Sequence, residues 1–157
     1  LKGGGHDLAA GLTISKKQLN SFIKFAQEKI LLLNKDFKPV EMSVANILSA
    51  ASCNYSLAKW IEKLGPWGEG APEPKFIIEN AKVKNVRKFG VNKEHVSFLI
   101  YDNSGEISCK RFNILNTPLE KIVKNRFDKS IDFLGILKID TWNNRNKPEF
   151  HLIDAII

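Results

Sequence analysis

The stretch "GPWGEGAPEPKFIIENAKVKNVRKFG" runs from Gly65 to Gly90, and its two halves obey different rules. Gly65 to Lys75 holds three glycines and three prolines in eleven residues, a density that neither a helix nor a central strand tolerates. From Phe76 onward apolar and polar residues alternate, the period of a half-buried strand. The stretch therefore reads as a boundary followed by the first strand of a β unit. It divides the chain into residues 1–64, a linker over 65–75, and a β domain over 76–157.

Downstream, "EHVSFLIYD" (Glu94 to Asp102) predicts a second strand with Val96, Phe98 and Ile100 on one face. "DNSG" (Asp102 to Gly105) supplies the residues that turn most cheaply, and "EISCKRF" (Glu106 to Phe112) returns as the hairpin partner. Thr117, Pro118 and Glu120 form a three-part helix start, with Leu119, Ile122 and Val123 facing inward. "SIDFLGILKID" (Ser130 to Asp140) and "EFHLIDAII" (Glu149 to Ile157) are two further strands, joined by the polar loop "TWNNRNKP". Three strands, a helix between the third and fourth, then two more strands is the order of the OB barrel. Five short strands are also compatible with another small barrel.

Upstream, Leu19, Phe22, Ile23, Ala26, Ile30 and Leu33 fall at helical spacing and predict one core-facing stripe on a helix over about Lys16–Leu33. Ser15 with Gln18 forms a capping box at its start. "VEMSV" (Val40 to Val44) reads as extended. A second helix, or helical pair, then runs to about Leu64 through Ile47, Leu48, Leu57, Trp60 and Ile61, with Trp60 in the core. The fold class is an α+β N-terminal segment, mainly helical, followed by an all-β five-stranded OB barrel carrying one helix between strands 3 and 4.

Composition sets outer bounds. At 157 residues and 43% hydrophobic content, the chain suffices for one ordinary domain or two very small ones. The longest apolar run, "ILLL" (Ile30 to Leu33), is far below the roughly 20 residues of a membrane span. No export leader is legible, and no membrane partner is expected. Cys53 and Cys109 lack the spacing of a zinc or disulfide framework and read as reduced core residues. With Leu1 at the start and Met42 as the one methionine, the chain reads as a piece of a longer protein. The net charge is +7, and all four arginines lie beyond residue 74. That excess is compatible with a polyanionic partner without proving one.

An OB barrel binds single strands across its second and third strands and the adjoining loops, with cations for phosphates and rings for stacking. The candidates are Lys82, Lys84, Arg87 and Lys88 along the first strand, Lys110, Arg111 and Phe112 on the third, and Trp142 and Arg145 in the last loop. For each residue a solvated or core role is the plain alternative, and Trp142 either stacks on bases or folds back to cap the barrel. Conventional catalytic sets are missing: His6, His95 and His151 have no metal-ligand spacing, and neither a GxSxG elbow nor a Walker loop occurs. The opening "LKGGGHDLAAG" (Leu1 to Gly11) runs three glycines into a histidine, either as a frayed tail or as a functional loop.

Four segments, "GGGHDLAAG", "LGPWGEGAPEPKF", "RKFGVNKEHVSF" and "TWNNRNKPEFHLIDAI", resemble in order and spacing the signatures of the RecJ family of single-strand-specific DNA exonucleases, within the DHH phosphoesterase superfamily. The resemblance covers nearly the whole chain. It implies a 5′-to-3′ exonuclease acting in DNA repair and recombination in the bacterial cytoplasm. Mn²⁺ or Mg²⁺ would be held in a DHH domain that this chain does not contain, so the chain itself would bind no cofactor. Residues 1–64 would be the end of the DHHA1 domain, with Gly3, Gly4, Gly5 and His6 holding a substrate phosphate and His6 acting in catalysis. The partners implied are single-stranded DNA and the DHH domain of the same protein. Two positions depart from the family pattern, Ala71 for asparagine and Asn144 for glycine; asparagine tolerates positive φ and keeps the turn. A non-enzymatic single-strand-binding module, or a phosphodiesterase acting on short RNA or dinucleotides, are the alternatives.

Overall fold

The computed structural model describes residues 2–6, 9–33, 41–125 and 129–156. It forms two compact units, Leu1–Met42 and Ser43–Ile157.

The second unit is built on five strands: β4 (Phe76–Phe89), β5 (His95–Tyr101), β6 (Glu106–Arg111), β7 (Ile131–Asp140) and β8 (Lys147–Ile156). Strands β4, β5 and β6 form an antiparallel meander. β6 then pairs in parallel with β8, β8 in antiparallel with β7, and β7 with β4. The ring is closed, and the parallel contact between the third and last strands gives it the Greek-key connection of an OB barrel. α3 (Pro118–Asn125) lies in the chain between β6 and β7 and buries Leu119 and Val123.

β4 serves two neighbours because it bends twice. Its first half pairs with β7 and its second with β5, and the register slips at Ile78/Ala81 and at Lys84/Arg87. Asn80 (φ 50°) and Asn85 (φ 57°) sit at those slips, where asparagine enters the left-handed region at low cost. Asn144 also has positive φ, 57°, so the turn after β7 keeps the conformation that glycine would supply. Inside the barrel Ile78, Ile100, Ile131, Phe133, Leu137 and Phe150 are essentially inaccessible. Cys53 and Cys109 are buried free thiols, and burial, with a smaller push from the Asp102 charge, raises Cys53 to about 12.

The segment before the linker departs from expectation. A short β3 (Asn46–Ile47) pairs in parallel with the start of β4, and α2 spans only Tyr55–Leu64. Ile47 and Leu48 are therefore extended where the sequence predicted a helix. Leu48 N–H bonds the Ile77 carbonyl, and this pairing to a distant strand overrides the local apolar period. Asn54 caps α2 by accepting the Leu57 N–H at 3.0 Å. The helix buries Ala58 and Ile61 and packs on β7. Trp60 is 62% exposed rather than in the core, because Ala58 and Ile61 already occupy the inward stripe. Residues 43–64 group with the barrel in the second unit, Ser43–Ile157.

In the first unit β1 (Lys2–His6) and β2 (Ala9–Thr13) form an antiparallel hairpin, followed by a 3₁₀ turn at Lys16–Gln18 and by α1 (Leu19–Leu33). The expected capping box is absent: Ser15 Oγ donates to Gln18 Oε1 at 2.9 Å and caps no backbone N–H. The apolar stripe of α1 meets no core among the described residues, and Leu19, Ile23, Ile30 and Leu33 are exposed. A two-stranded hairpin offers too little surface to cover it. The "extended" stretch over Val40–Val44 falls partly outside the described residues, and its described part forms no strand.

Candidate nucleic-acid interface

The outward residues of the barrel converge where β6, β8 and the turn after β7 meet. On β6, Ile107 and Cys109 face the core while Ser108 and Lys110 face out, and Phe112 continues the outward row just past the strand. The parallel pairing sets Lys110 opposite His151, and Ser97 of β5 lies opposite Lys110 on the other side. After β7 the backbone N–H of Trp142 bonds Asp140 Oδ1 at 3.0 Å, and Trp142–Asn144 form a 3₁₀ turn. That turn holds the Trp142 side chain away from the barrel, 72% exposed.

The result is an open groove of about 800 Å³ whose walls include Trp142, Arg145, Phe112 and Phe89 and whose floor includes Lys110 and Glu149. A smaller trough of about 450 Å³ shares Lys110, Asp140, Arg145 and Glu149 with it and continues over Ser97, Leu99, Ser108 and Lys147. Phe112, 46% exposed, is the centre of a ring cluster. Its centroid lies 5.8 Å from Phe89, 5.0 Å from His95 and 6.0 Å from His151, all edge-on. It is neither core nor free. His95 is fixed in turn by the Asn113 N–H, which donates to its Nδ1 at 3.0 Å.

The floor is a charge network. Lys110 Nζ lies 2.9 Å from Glu149 and 3.2 Å from Asp140, and Glu149 also meets His151 Nε2 at 3.1 Å. Partial burial alone would lower the Lys110 pKa, but hydrogen bonding and charge from Glu149 and then Asp140 outweigh it and raise it. Burial likewise pushes the Asp140 carboxyl up; the Trp142 N–H and the charges of Lys110 and Arg145 overcome that and bring it below the usual value. Lys110 is therefore a charged but neutralised floor residue.

Of the candidates read from the sequence, the groove gathers Lys110, Phe112, Trp142 and Arg145. The others lie apart from it. Lys84 pairs with Glu106 at 2.5 Å and lies over the Tyr101 ring. Lys88 pairs with Glu120 at 3.0 Å. Lys82 and Arg87 stand on β4 opposite Tyr101 and Ser97. Arg111 points the other way, its Nη1 donating to the Leu152 carbonyl at 3.1 Å with Nε buried. Gly3, Gly4, Gly5 and His6 are exposed on β1; Gly5 approaches Ala9 and Ala10 so closely that a Cβ there would lie 2.6 Å from the Ala10 Cα. Phe89, His95, Glu149 and His151 were not anticipated, because only cross-strand register brings them together. Among the described residues no three His, Cys, Asp or Glu are grouped to hold a metal ion, and no helix is long and apolar enough to cross a membrane.

A closed five-stranded barrel with rings and cations gathered at its last loop defines a protein of the OB class. More narrowly, the chain belongs to the RecJ OB domain family, whose model matches residues 45–154. It is 31% identical over 156 residues to the single-stranded-DNA-specific exonuclease RecJ of Bacillus subtilis, covering 98% of this chain and 19% of that protein. To the Haemophilus influenzae exonuclease of the same name it is 32% identical over 122 residues, 76% of this chain and 21% of the relative. The crystal structure of Thermus thermophilus RecJ with Mn²⁺ superposes over the whole chain with a TM-score of 0.61 at 20% identity, across 22% of that structure. The chain thus spans about a fifth of the length of these relatives.

Proposed function

We propose that this chain supplies the strand-gripping part of a RecJ-type exonuclease that degrades single-stranded DNA. The observation that carries the reading is the groove of Trp142, Phe112 and Arg145, which offers a freely exposed ring, a second ring held rigid by its neighbours, and a cation. Stacking on rings is tolerant of base identity and suits an enzyme that digests a strand regardless of sequence. Unpaired bases are required for stacking, so duplex DNA is a poor ligand. Arg145 and Arg87 meet phosphates, while the neutralised Lys110 shapes the floor.

On the first unit, the exposed β1 backbone at Gly3–Gly5 lets a phosphate approach without side-chain obstruction, and His6 adds a polar group beside it. In this reading His6 positions the scissile phosphate for hydrolysis in the complete enzyme. Among the described residues no cluster of His, Cys, Asp or Glu fits the Mn²⁺ or Mg²⁺ expected in the DHH domain, so the work assigned to them is binding and orientation. Positioning alone leaves most of the hydrolytic barrier in place.

The test is a direct comparison on the purified 157-residue chain. It should bind single-stranded oligonucleotides in preference to duplex, with salt-sensitive affinity, and release no nucleotides in Mn²⁺ or Mg²⁺. Equal affinity for duplex, or metal-dependent nucleotide release by a nuclease-free preparation, would refute this assignment. In the complete protein, His6→Ala should lower turnover far more than strand affinity.

A further inference from the structure

We propose that the outward face of α2 is a second contact surface for single-stranded nucleic acid, lying outside the groove. The proposal rests on the reading that the groove takes a single strand. Lys59 and Lys63 lie on the side of α2 opposite the buried Ala58 and Ile61, and Tyr55 and Trp60 flank them on either side, as a 3.6-residue period requires. Tyr55 is 40% and Trp60 62% exposed. Each ring carries its own cation: Lys59 Nζ lies 5.7 Å from the Tyr55 centroid, and Lys63 Nζ 4.5 Å from that of Trp60.

Charge selects the partner. On the barrel Lys84, Lys88, Lys110 and Lys138 are each paired with a carboxylate. Among the described residues Lys59 and Lys63 enter no ion pair, and Glu62, the one acid of α2, lines the cleft toward β7. The face thus offers two exposed rings, each with a lysine over it, and two cations without a carboxylate partner. An unpaired DNA strand presents the complement of both, a base to stack and a phosphate to neutralise. Lys59 and Lys63 stand about 6 Å apart along the helix axis, a separation that adjacent phosphates of an extended strand can match. The helix itself packs on β7, and Ile139 lines both the cleft beneath α2 and the groove.

The experiment measures anisotropy of labelled oligothymidylates with the 157-residue chain. One strand is about 6 nucleotides, within the roughly 4–16 that one OB fold covers, and the other about 24, beyond it. Trp60→Ala combined with Lys63→Ala should weaken the long strand about tenfold, the scale of one lost stacking contact, and leave the short strand unchanged. Lys59→Ala with Lys63→Ala, both on the surface and harmless to folding, should lower the long-strand salt slope by about 1.4. Unaltered long-strand affinity and slope in these variants, with Trp142→Ala still weakening the short strand, would overturn the α2 surface and leave the groove reading intact. Should the face instead bind an acidic peptide with the long strand unaffected, the proposal likewise falls. Absence of strand binding by the unmodified chain would overturn both.

Discussion

The carboxylate of Glu149, 4% exposed, lies 2.9 Å from the ammonium of Lys110. The pair connects β8 to β6 across the parallel contact that closes the barrel, so it couples the floor of the groove to the integrity of the fold. Removing Glu149 leaves Lys110 with Asp140 as its one carboxylate, in a partly dry site. Glu149→Ala should therefore cost about 2–3 kcal/mol of stability, seen as a lower urea midpoint. A loss of strand affinity without any change in stability would show that the pair serves binding alone.

Trp142 is held away from the barrel by its own backbone hydrogen bond to Asp140. Trp142→Ala should reduce single-strand affinity by about 1–3 kcal/mol while the melting temperature stays put. A large fall in melting temperature with unaltered affinity would mean that the ring caps the barrel end.

Arg87 and Lys88 are neighbours in sequence with different roles. Lys88 is tied to Glu120, whereas Arg87 faces out on β4 opposite Ser97. Arg87→Ala should lower the salt slope of strand binding by about 0.7, the share of one phosphate contact. Lys88→Ala should leave the slope as it was. Equal slopes for both variants would remove Arg87 from the strand path.

Gly135 is buried where β7 crosses β8, and a Cβ there would run into the Phe150 ring and the His151 carbonyl. Gly135→Ala should destabilise the barrel by about 3 kcal/mol, since neither neighbour can move without disturbing the core. Calorimetry of the variant, showing a melting temperature within a degree or so of the parent, would contradict that.

Acid should loosen the barrel through Asp102. Burial pushes its carboxyl up, but bonds from the Ser104 hydroxyl and from the Ala50, Ser104 and Gly105 N–H groups prevail and bring the pKa below the usual value. A depressed folded-state pKa gives stability that is complete above the unfolded value of about 3.9 and is lost as pH falls through the folded one. Asp140, also depressed, adds in the same direction. Asp102→Asn should lower stability at neutral pH and reduce its decline below about pH 4. A parallel acid decline in parent and variant would argue against this.

The five strands, the turns at 102–105 and 141–146, and the helix starting at Pro118 were legible in the amino-acid sequence because alternation, turn chemistry and capping are properties of a few neighbouring residues. Trp142 in its polar loop was legible for the same reason. The apolar period also showed that α1 and α2 exist, but not what covers them. Trp60 lies outward because Ala58 and Ile61 took the inward stripe, and the stripe of α1 meets no core among the described residues of its unit.

What tertiary structure alone decided is register. The pairing of β6 with β8 joins residues about forty apart and carries no local signature; it is this pairing that sets Lys110 beside Glu149 and His151. Likewise the hydrogen bonds to β4 made Asn46 and Ile47 a strand against their helical period. A sequence lists rings and cations; which of them meet, and which cations are already neutralised, depends on closing the barrel, because those contacts join residues remote along the chain.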